Sequence, residues 1–289
     1  MRAVDPPDGI GTLKATHLLV LSRNAGSMNP DVEEKLRKAF ADHLVVDFDP
    51  NEKYEDMVTP QARIVVAGGD GTVEFMVRKF AETKHPIGVI PMGTFNNLAR
   101  ALGLPTKLEP AIEAVRDGRL QAITLGRVND HIFVEACAVG LFGETIAMGD
   151  SAKDMEFGKL ATGLKDLIGA RRFKYELKGD INGTGSAMSL VFSNTASIGS
   201  QIKIGDGTPT DHYLEFSVHA GRTRTDILSR AIKSAVNIDD GTDQVFRFKR
   251  LEVTTTPRVR VYADNFQVGR TPIKVTAEIS AVKVLLPKK

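Results

Sequence analysis

The sequence predicts an α/β protein: a Rossmann-like, doubly wound α/β domain first, then an antiparallel β-sandwich domain. β-Branched runs alternate with helical apolar patterns as far as Gln121. Such alternation builds a parallel sheet covered by helices on both faces. Two strand-to-helix turns in that stretch are glycine-rich, Gly68-Gly69-Asp70-Gly71-Thr72 and Pro91-Met92-Gly93-Thr94-Phe95-Asn96-Asn97. Beyond Gln121, strand patterns dominate. The expected division is residues 15–122 for the α/β domain and 123–276 for the sandwich, with 277–289 as strands that complete the first domain. At 289 residues the chain exceeds the usual size of one domain.

Residues 1–14 read as a loose leader. A strand at His17–Leu21 precedes a helix at Pro30–Phe40, whose Val32, Leu36, Ala39 and Phe40 share one face. Further strands are expected at His43–Phe48, Arg63–Val66 and Ile87–Ile90. After the first glycine turn, Val73, Met76, Val77 and Phe80 fall at i, i+3, i+4 and i+7. A helix at Pro110–Arg116 ends at Gly118, a suitable left-handed cap. The second half reads as strands at Ala122–Val128, His131–Ala138, Phe173–Lys178, Met188–Asn194, Tyr213–Val218, Val245–Thr254 and Arg258–Tyr262. Val128-Asn129-Asp130-His131 reads as a tight hairpin. Helices are expected at Met155–Ala170 and Thr225–Val236, and turns at Gly183-Thr184-Gly185 and Gly205-Asp206-Gly207. Ile273–Val275 and Val282–Leu286 form a closing strand pair.

Composition excludes several function classes. The 38 basic and 36 acidic residues give a net charge of +2, which points to no nucleic-acid partner. Cys137 is the single cysteine, so no internal disulfide forms, and its apolar neighbours Phe133, Val134 and Val139 suit a buried structural thiol. No signal peptide is read at the N-terminus, and no apolar run approaches the ~20 residues that span a bilayer. A cytoplasmic protein is expected. Six histidines give no HExxH, and neither GxxxxGK[ST] nor GxGxxG after a strand occurs.

The glycine turns carry the chemistry. Glycine lets the backbone turn sharply and aim its N–H groups at an anion. Asp70, negative among them, needs a metal ion to hold or a donor to position. Thr72 is placed to cap the following helix. Gly93 and Thr94 repeat the arrangement, with Asn96 as a side-chain donor and acceptor. Together the turns read as a floor for a nucleoside triphosphate.

Their sequence and spacing resemble the catalytic domain of the diacylglycerol kinase / sphingosine kinase family, in particular its bacterial soluble lipid kinases. Arg23-Asn24-Ala25-Gly26-Ser27 is similar to the family's NPxSG element, and Leu125–Val128, Val191–Asn194 and Pro209–Tyr213 continue the likeness more weakly. The resemblance implies that ATP is bound by Gly68, Gly69, Asp70, Gly71, Thr72, Gly93, Thr94 and Asn96, with Asn24 and Gly26 lining the same pocket. It implies a structural Mg²⁺ site on the Asp211 carboxylate and the Thr208 and Tyr213 carbonyls, hard oxygens that suit this ion. The substrate it implies is a lipid hydroxyl, with Asp70 and Asp264 as the catalytic candidates.

Several positions depart from the family pattern. Asn97 stands where the family usually has an Asp that helps organise the catalytic magnesium. Glu74 and Phe75 stand where Asn and Glu are common, and Phe48-Asp49 where a nucleotide-contacting Thr is common. Asp264-Asn265-Phe266 replaces a DGE triplet whose Glu takes the hydroxyl proton, leaving Asp264 as a candidate base. Three functions stay open: a lipid kinase, a catalytically weakened nucleotide- or lipid-binding regulator, and a kinase of a soluble metabolite like the NAD kinases, which share GGDGT. Basic residues beside the two later helices (Arg171, Arg172 and Lys174; Arg222, Arg224, Arg230 and Lys233) suit a transient membrane-surface contact. Ordinary packed amphipathic helices with solvated charges suit the pattern better. Glu144 and Asp150 lie in a segment that could border an acceptor pocket. The oligomeric state is not legible, and a homodimer stays open.

Overall fold

The computed structural model describes residues 14–143, 172–198, 202–219 and 244–288. The two later helices, Glu144 and Asp150 lie outside the described residues.

The first half is a parallel sheet of β1 (Ala15–Leu21), β2 (Leu44–Asp47), β3 (Val58–Gly68) and β4 (Pro86–Pro91), in the order β2-β1-β3-β4. Its central strands are near-continuous apolar runs because both faces are covered. Leu18–Leu21 and Ile64–Gly68 are buried throughout. α1 (Pro30–Ala39) and α5 (Leu108–Asp117) cover one face through Leu36, Ala111 and Val115. α3 (Asp70–Lys79) and the one-turn α4 (Asn97–Ala101) cover the other through Val73, Met76, Val77 and Leu98, with a short α2 (Tyr54–Met57) adding Tyr54. The helical stripe read from Val73 to Phe80 is therefore core.

Beyond β5 (Arg119–Val128) the pairing is antiparallel. One sheet of six strands runs β14 (Val245–Phe248), β13 (Leu214–His219), β10 (Ser189–Ser193), β7 (Ala136–Gly140), β16 (Arg260–Ala263), β17 (Phe266–Arg270). The other antiparallel layer continues the first sheet. β18 (Ile273–Leu286) pairs in parallel with β4 near its end, antiparallel with β5 along its length, and with β15 (Arg250–Thr256) near its start. β8 (Phe173–Gly179) and β9 (Gly183–Ala187) extend that layer, and β6 (His131–Phe133) pairs with β5. β11 (Ser197–Ile198) and β12 (Ile202–Lys203) form a small separate ladder. The two layers enclose a core that includes Phe133, Phe192, Phe216, Leu251 and Val275.

Local expectations meet several corrections. His131–Ala138 is two strands in different sheets, broken at Val134-Glu135, and Val245–Thr254 is likewise β14 plus β15. An unbroken run of apolar residues does not reveal where a chain changes sheets. Gly183–Gly185 is strand, not turn. The closing strand pair is one long strand, with an irregularity between Glu278 and Val282 and Ser280 at φ 60°. Gly118 takes φ −68° and ψ 171°, so it is no left-handed cap. The hairpin at Val128–His131 does form, with Asn129 at φ 51°.

Candidate active site

β1, β3 and β4 deliver their loops to one edge of the sheet, the carboxyl end, where open α/β sheets bind ligands. Backbone bonds knit the loops together: Ser22 N–H to the Ala67 carbonyl at 2.9 Å, Met92 N–H to Gly68 at 2.9 Å, and Ser27 N–H to Met92 at 3.0 Å. The approach between the glycine turns is close enough to require glycine. A Cβ on Gly93 would lie 2.9 Å from the Gly69 Cα, and one on Gly68 would lie 2.8 Å from the Thr72 Cβ.

Asp70 is the joint between the turns. Its Oδ2 accepts the Asn96 N–H at 3.0 Å and its Oδ1 the Asn97 N–H at 2.6 Å. It thereby satisfies donors at the start of α4, which lacks a side-chain cap of its own. Asn96 holds a left-handed φ of 52°, which asparagine tolerates. Its amide side chain is turned inward, accepting the Gly93 N–H at 2.9 Å and donating to the Gly93 carbonyl at 2.8 Å. Thr72 is buried inside α3, and Gly69 rather than Thr72 is the N-cap residue. Asn24, Gly26, Gly71 and Thr94 are exposed around the turns. The site residues read from the first half therefore gather at one edge, with Asp70 and Asn96 committed to holding it together.

The second half meets this edge at the break between β6 and β7. Asp264, at φ 47° between β16 and β17, sends its carboxylate into that break. It accepts the N–H groups of Val134 at 3.0 Å, Glu135 at 2.9 Å and Ala136 at 3.3 Å, and the Arg78 Nη1 donates to it at 2.6 Å. Arg78 also lies 3.6 Å from Glu74 and 5.5 Å from the centre of the Phe266 ring. Phe266 itself is 60% exposed. The Asn97 side chain donates to Glu135 at 3.2 Å.

Glu74, Arg78 and Glu135 were absent from the sequence-based site. Glu74 and Arg78 follow Asp70 at successive i+4 steps of α3, a spacing that puts them on one helix face. Glu135 had a visible signal, a lone acid in the apolar run Phe133-Val134-Glu135-Ala136-Cys137. Burial, then the neighbouring Asp264, holds the Glu74 carboxyl well above its ordinary range. The same two causes in the same order, with Asp70 next, push Glu135 up to about 8. Cys137 is fully buried, and burial raises its thiol, so it is no nucleophile.

The proposed Mg²⁺ residues form a self-contained loop. Asp211 accepts the Thr208 N–H at 2.8 Å and bonds the Tyr213 side chain, its backbone carbonyl takes the Thr124 hydroxyl, and Arg247 stacks 4.5 Å over the Tyr213 ring. Among the described residues, no cluster of three or more His, Cys, Asp or Glu side chains is placed to hold a metal ion. Among the same residues, no helix is long and apolar enough to cross a membrane.

Residues 22–128 match the family model of the diacylglycerol kinase catalytic domain. The chain is 29% identical over 238 residues to a diacylglycerol kinase of Mycobacterium tuberculosis, covering 78% of this chain and 77% of that one. Over 121 residues it is 35% identical to a diacylglycerol kinase of Staphylococcus saprophyticus, covering 38% of this chain and 39% of that one. A Synechocystis relative is 25% identical over 78% of this chain, which spans only 54% of that protein's length. In fold, the chain is similar to a crystal structure of a putative diacylglycerol kinase from Bacillus anthracis, with a TM-score of 0.72 at 17% identity, over 93% of this chain and 96% of that one. The glycine loops, their shared sheet edge and the matching segment agree: residues 22–128 of this chain are similar to the diacylglycerol kinase catalytic domain.

Proposed function

We propose that this protein is a lipid kinase that transfers the γ-phosphate of MgATP to a hydroxyl of a diacylglycerol-like lipid. The observation that carries the reading is the Asp70 clamp. By fixing the Asn96 and Asn97 amides it holds two glycine loops edge to edge. Phosphate recognition then falls to what the loops leave outside: exposed backbone at Gly71, the N-terminal end of α3, and Asn24, Gly26 and Thr94 around it. Phosphoryl transfer asks mainly for positioning and for stabilisation of charge on the γ-phosphoryl oxygens. Magnesium bound with the nucleotide would stabilise part of that charge, and the protein supplies the rigid floor. The alcohol acceptor reaches the site from the side of the second half, where Asp264 docks.

Asp264 acts here as the tie between the two halves rather than as the base, because three amides and Arg78 already claim its oxygens. That crowding, with Phe266 at the position of the expected acid, favours the second reading of a nucleotide-binding regulator with little turnover. One assay separates the two. Labelled ATP with Mg²⁺ and dioctanoylglycerol in mixed micelles yields labelled phosphatidic acid under the kinase reading. Retained ATP binding without lipid labelling, across a panel of membrane lipids, would replace it with the regulator.

A further inference from the structure

Four carboxyl groups, of Asp70, Glu74, Glu135 and Asp264, converge beneath the glycine loops with Arg78 set against them. Three of the four are provided for. Both oxygens of Asp70 accept amides, Asp264 accepts three amides and Arg78, and Glu74 lies beside Arg78. Glu135 differs. Its Oε2 accepts from Asn97, its Oε1 meets no amide, alcohol hydroxyl or cation, and the Glu74 carboxyl is the further hydrogen-bonding neighbour of its side chain. The residue is only 6% exposed. A buried oxygen without a donor is rare in folded proteins and calls for a specific cause, a catalytic role among them.

Its placement is fixed from three directions. The Glu135 N–H is held by Asp264 at 2.9 Å, its carbonyl accepts the Asn194 N–H at 2.8 Å, and its side chain is held by Asn97. Asn97 follows the second glycine loop directly, and the hairpin carrying Asp264 belongs to the other half. Glu135 thus stands where the two halves meet, next to the loops read as the phosphate floor.

We propose that Glu135 is the catalytic base of this chain, the carboxylate that takes the proton of the acceptor hydroxyl. The assignment rests on the kinase reading above. Phe266 has no proton-accepting group, and the oxygens of Asp264 are already covered. In the step, the acceptor O–H breaks and its proton passes to Glu135 Oε1. The acceptor oxygen bonds the γ-phosphorus while the bond from that phosphorus to the bridging oxygen breaks, its electron pair leaving on ADP. The Glu74 carboxyl, hydrogen-bonded to Glu135, gives the proton a way onward to a cavity of about 10 Å³ that Glu74 lines with Asp70 and Asn96, room for one water. Burial and the charges of Asp264 and Asp70 raise the carboxyl, hydrogen bonds from the Asn97 amide and the Glu74 carboxyl oppose them, and a base titrating near the working pH is an effective one.

The test uses the full chain, labelled ATP, Mg²⁺ and dioctanoylglycerol in mixed micelles, followed across pH. The parent rate should climb about tenfold per pH unit and level off near pH 8. Glu135→Gln should keep MgATP binding by calorimetry, lose roughly 10²–10⁴-fold in kcat, and lose the limb. Asn97→Asp replaces a donor by a negative charge and should move the limb upward by about one pH unit, which a purely structural Glu135 would not do. Parent-like kcat and pH profile in Glu135→Gln would overturn the assignment while leaving the kinase reading intact. Should that variant fail to fold, an unmoved limb in Asn97→Asp overturns it equally. A parent that labels no micelle lipid and hydrolyses no ATP removes the kinase reading, and this assignment with it.

Discussion

Asp70 and Asp264 each use a carboxylate to gather backbone amides, one within the first half of the chain and the other across the two halves. Asp70 joins two turns that leave neighbouring strands of one parallel sheet, so its partners are close by topology, and among the described residues both of its hydrogen bonds are to backbone amides. Asp264 joins segments 128 to 130 residues away and adds Arg78 of α3, 186 residues away. Under the proposed function, the first clamp shapes the nucleotide floor, and the second holds that floor against the second half of the chain. A local device can be recognised in a motif, whereas a long-range one depends on the fold that brings it together.

Several outcomes would break or sharpen that contrast. The largest effect on global stability is expected for Asp264→Ala. It strands Arg78 and three amides in a side chain only 2% exposed, and breaking a buried ion pair costs about 3–5 kcal/mol. Urea unfolding measures this, and a loss under about 1 kcal/mol would remove Asp264 as the tie. Asp70→Ala should act on the ligand instead. Losing two charged hydrogen bonds to backbone, at about 1.5–3 kcal/mol each, should weaken MgATP binding at least 100-fold by calorimetry. If it costs global stability and spares ATP, the two aspartates have been assigned the wrong way round. Gly93→Ala drives a methyl to 2.9 Å from Gly69 and 3.0 Å from the Asp70 carboxylate. About 1–3 kcal/mol of strain is expected, read as a 5- to 100-fold drop in ATP affinity.

The last outcome concerns pH. Glu135 is raised to about 8, and Glu74 is raised as well. In the folded protein each holds its proton at pH values where the unfolded chain, near 4.5, has released it. The folded state therefore binds more protons, and stability falls as pH rises from about 4.5 through about 8. Glu135→Gln should flatten this decline and raise Tm relative to the parent more at pH 8.5 than at pH 5.5. Equal Tm differences at the two values would show that Glu135 is not protonated in the fold.

Much of the first half was legible in the sequence. The β-branched runs, the helical stripe from Val73 to Phe80 and the two glycine turns are local patterns, and each appears where expected. The turns could also be paired as one floor, because consecutive parallel strands deliver their loops to the same edge. Roles inside the floor were less legible. Thr72 reads as a cap by residue type, yet the helix begins at Asp70 and buries it.

The amino-acid sequence by itself determined the alternation of strands and helices in the first half, the glycine turns and their family resemblance, because periodicity and backbone permissiveness act over a few neighbouring residues. Tertiary structure alone decided where the chain leaves one sheet for another at Val134-Glu135, and what fills that break. Val134, Glu135 and Ala136 expose three successive amides there, and Asp264 meets them from a distant hairpin. It also decided that Glu74 and Glu135 are buried beside two further carboxylates and one arginine. No local pattern encodes that, since the charge state of a carboxyl depends on the dielectric and the neighbours that the whole fold assembles around it.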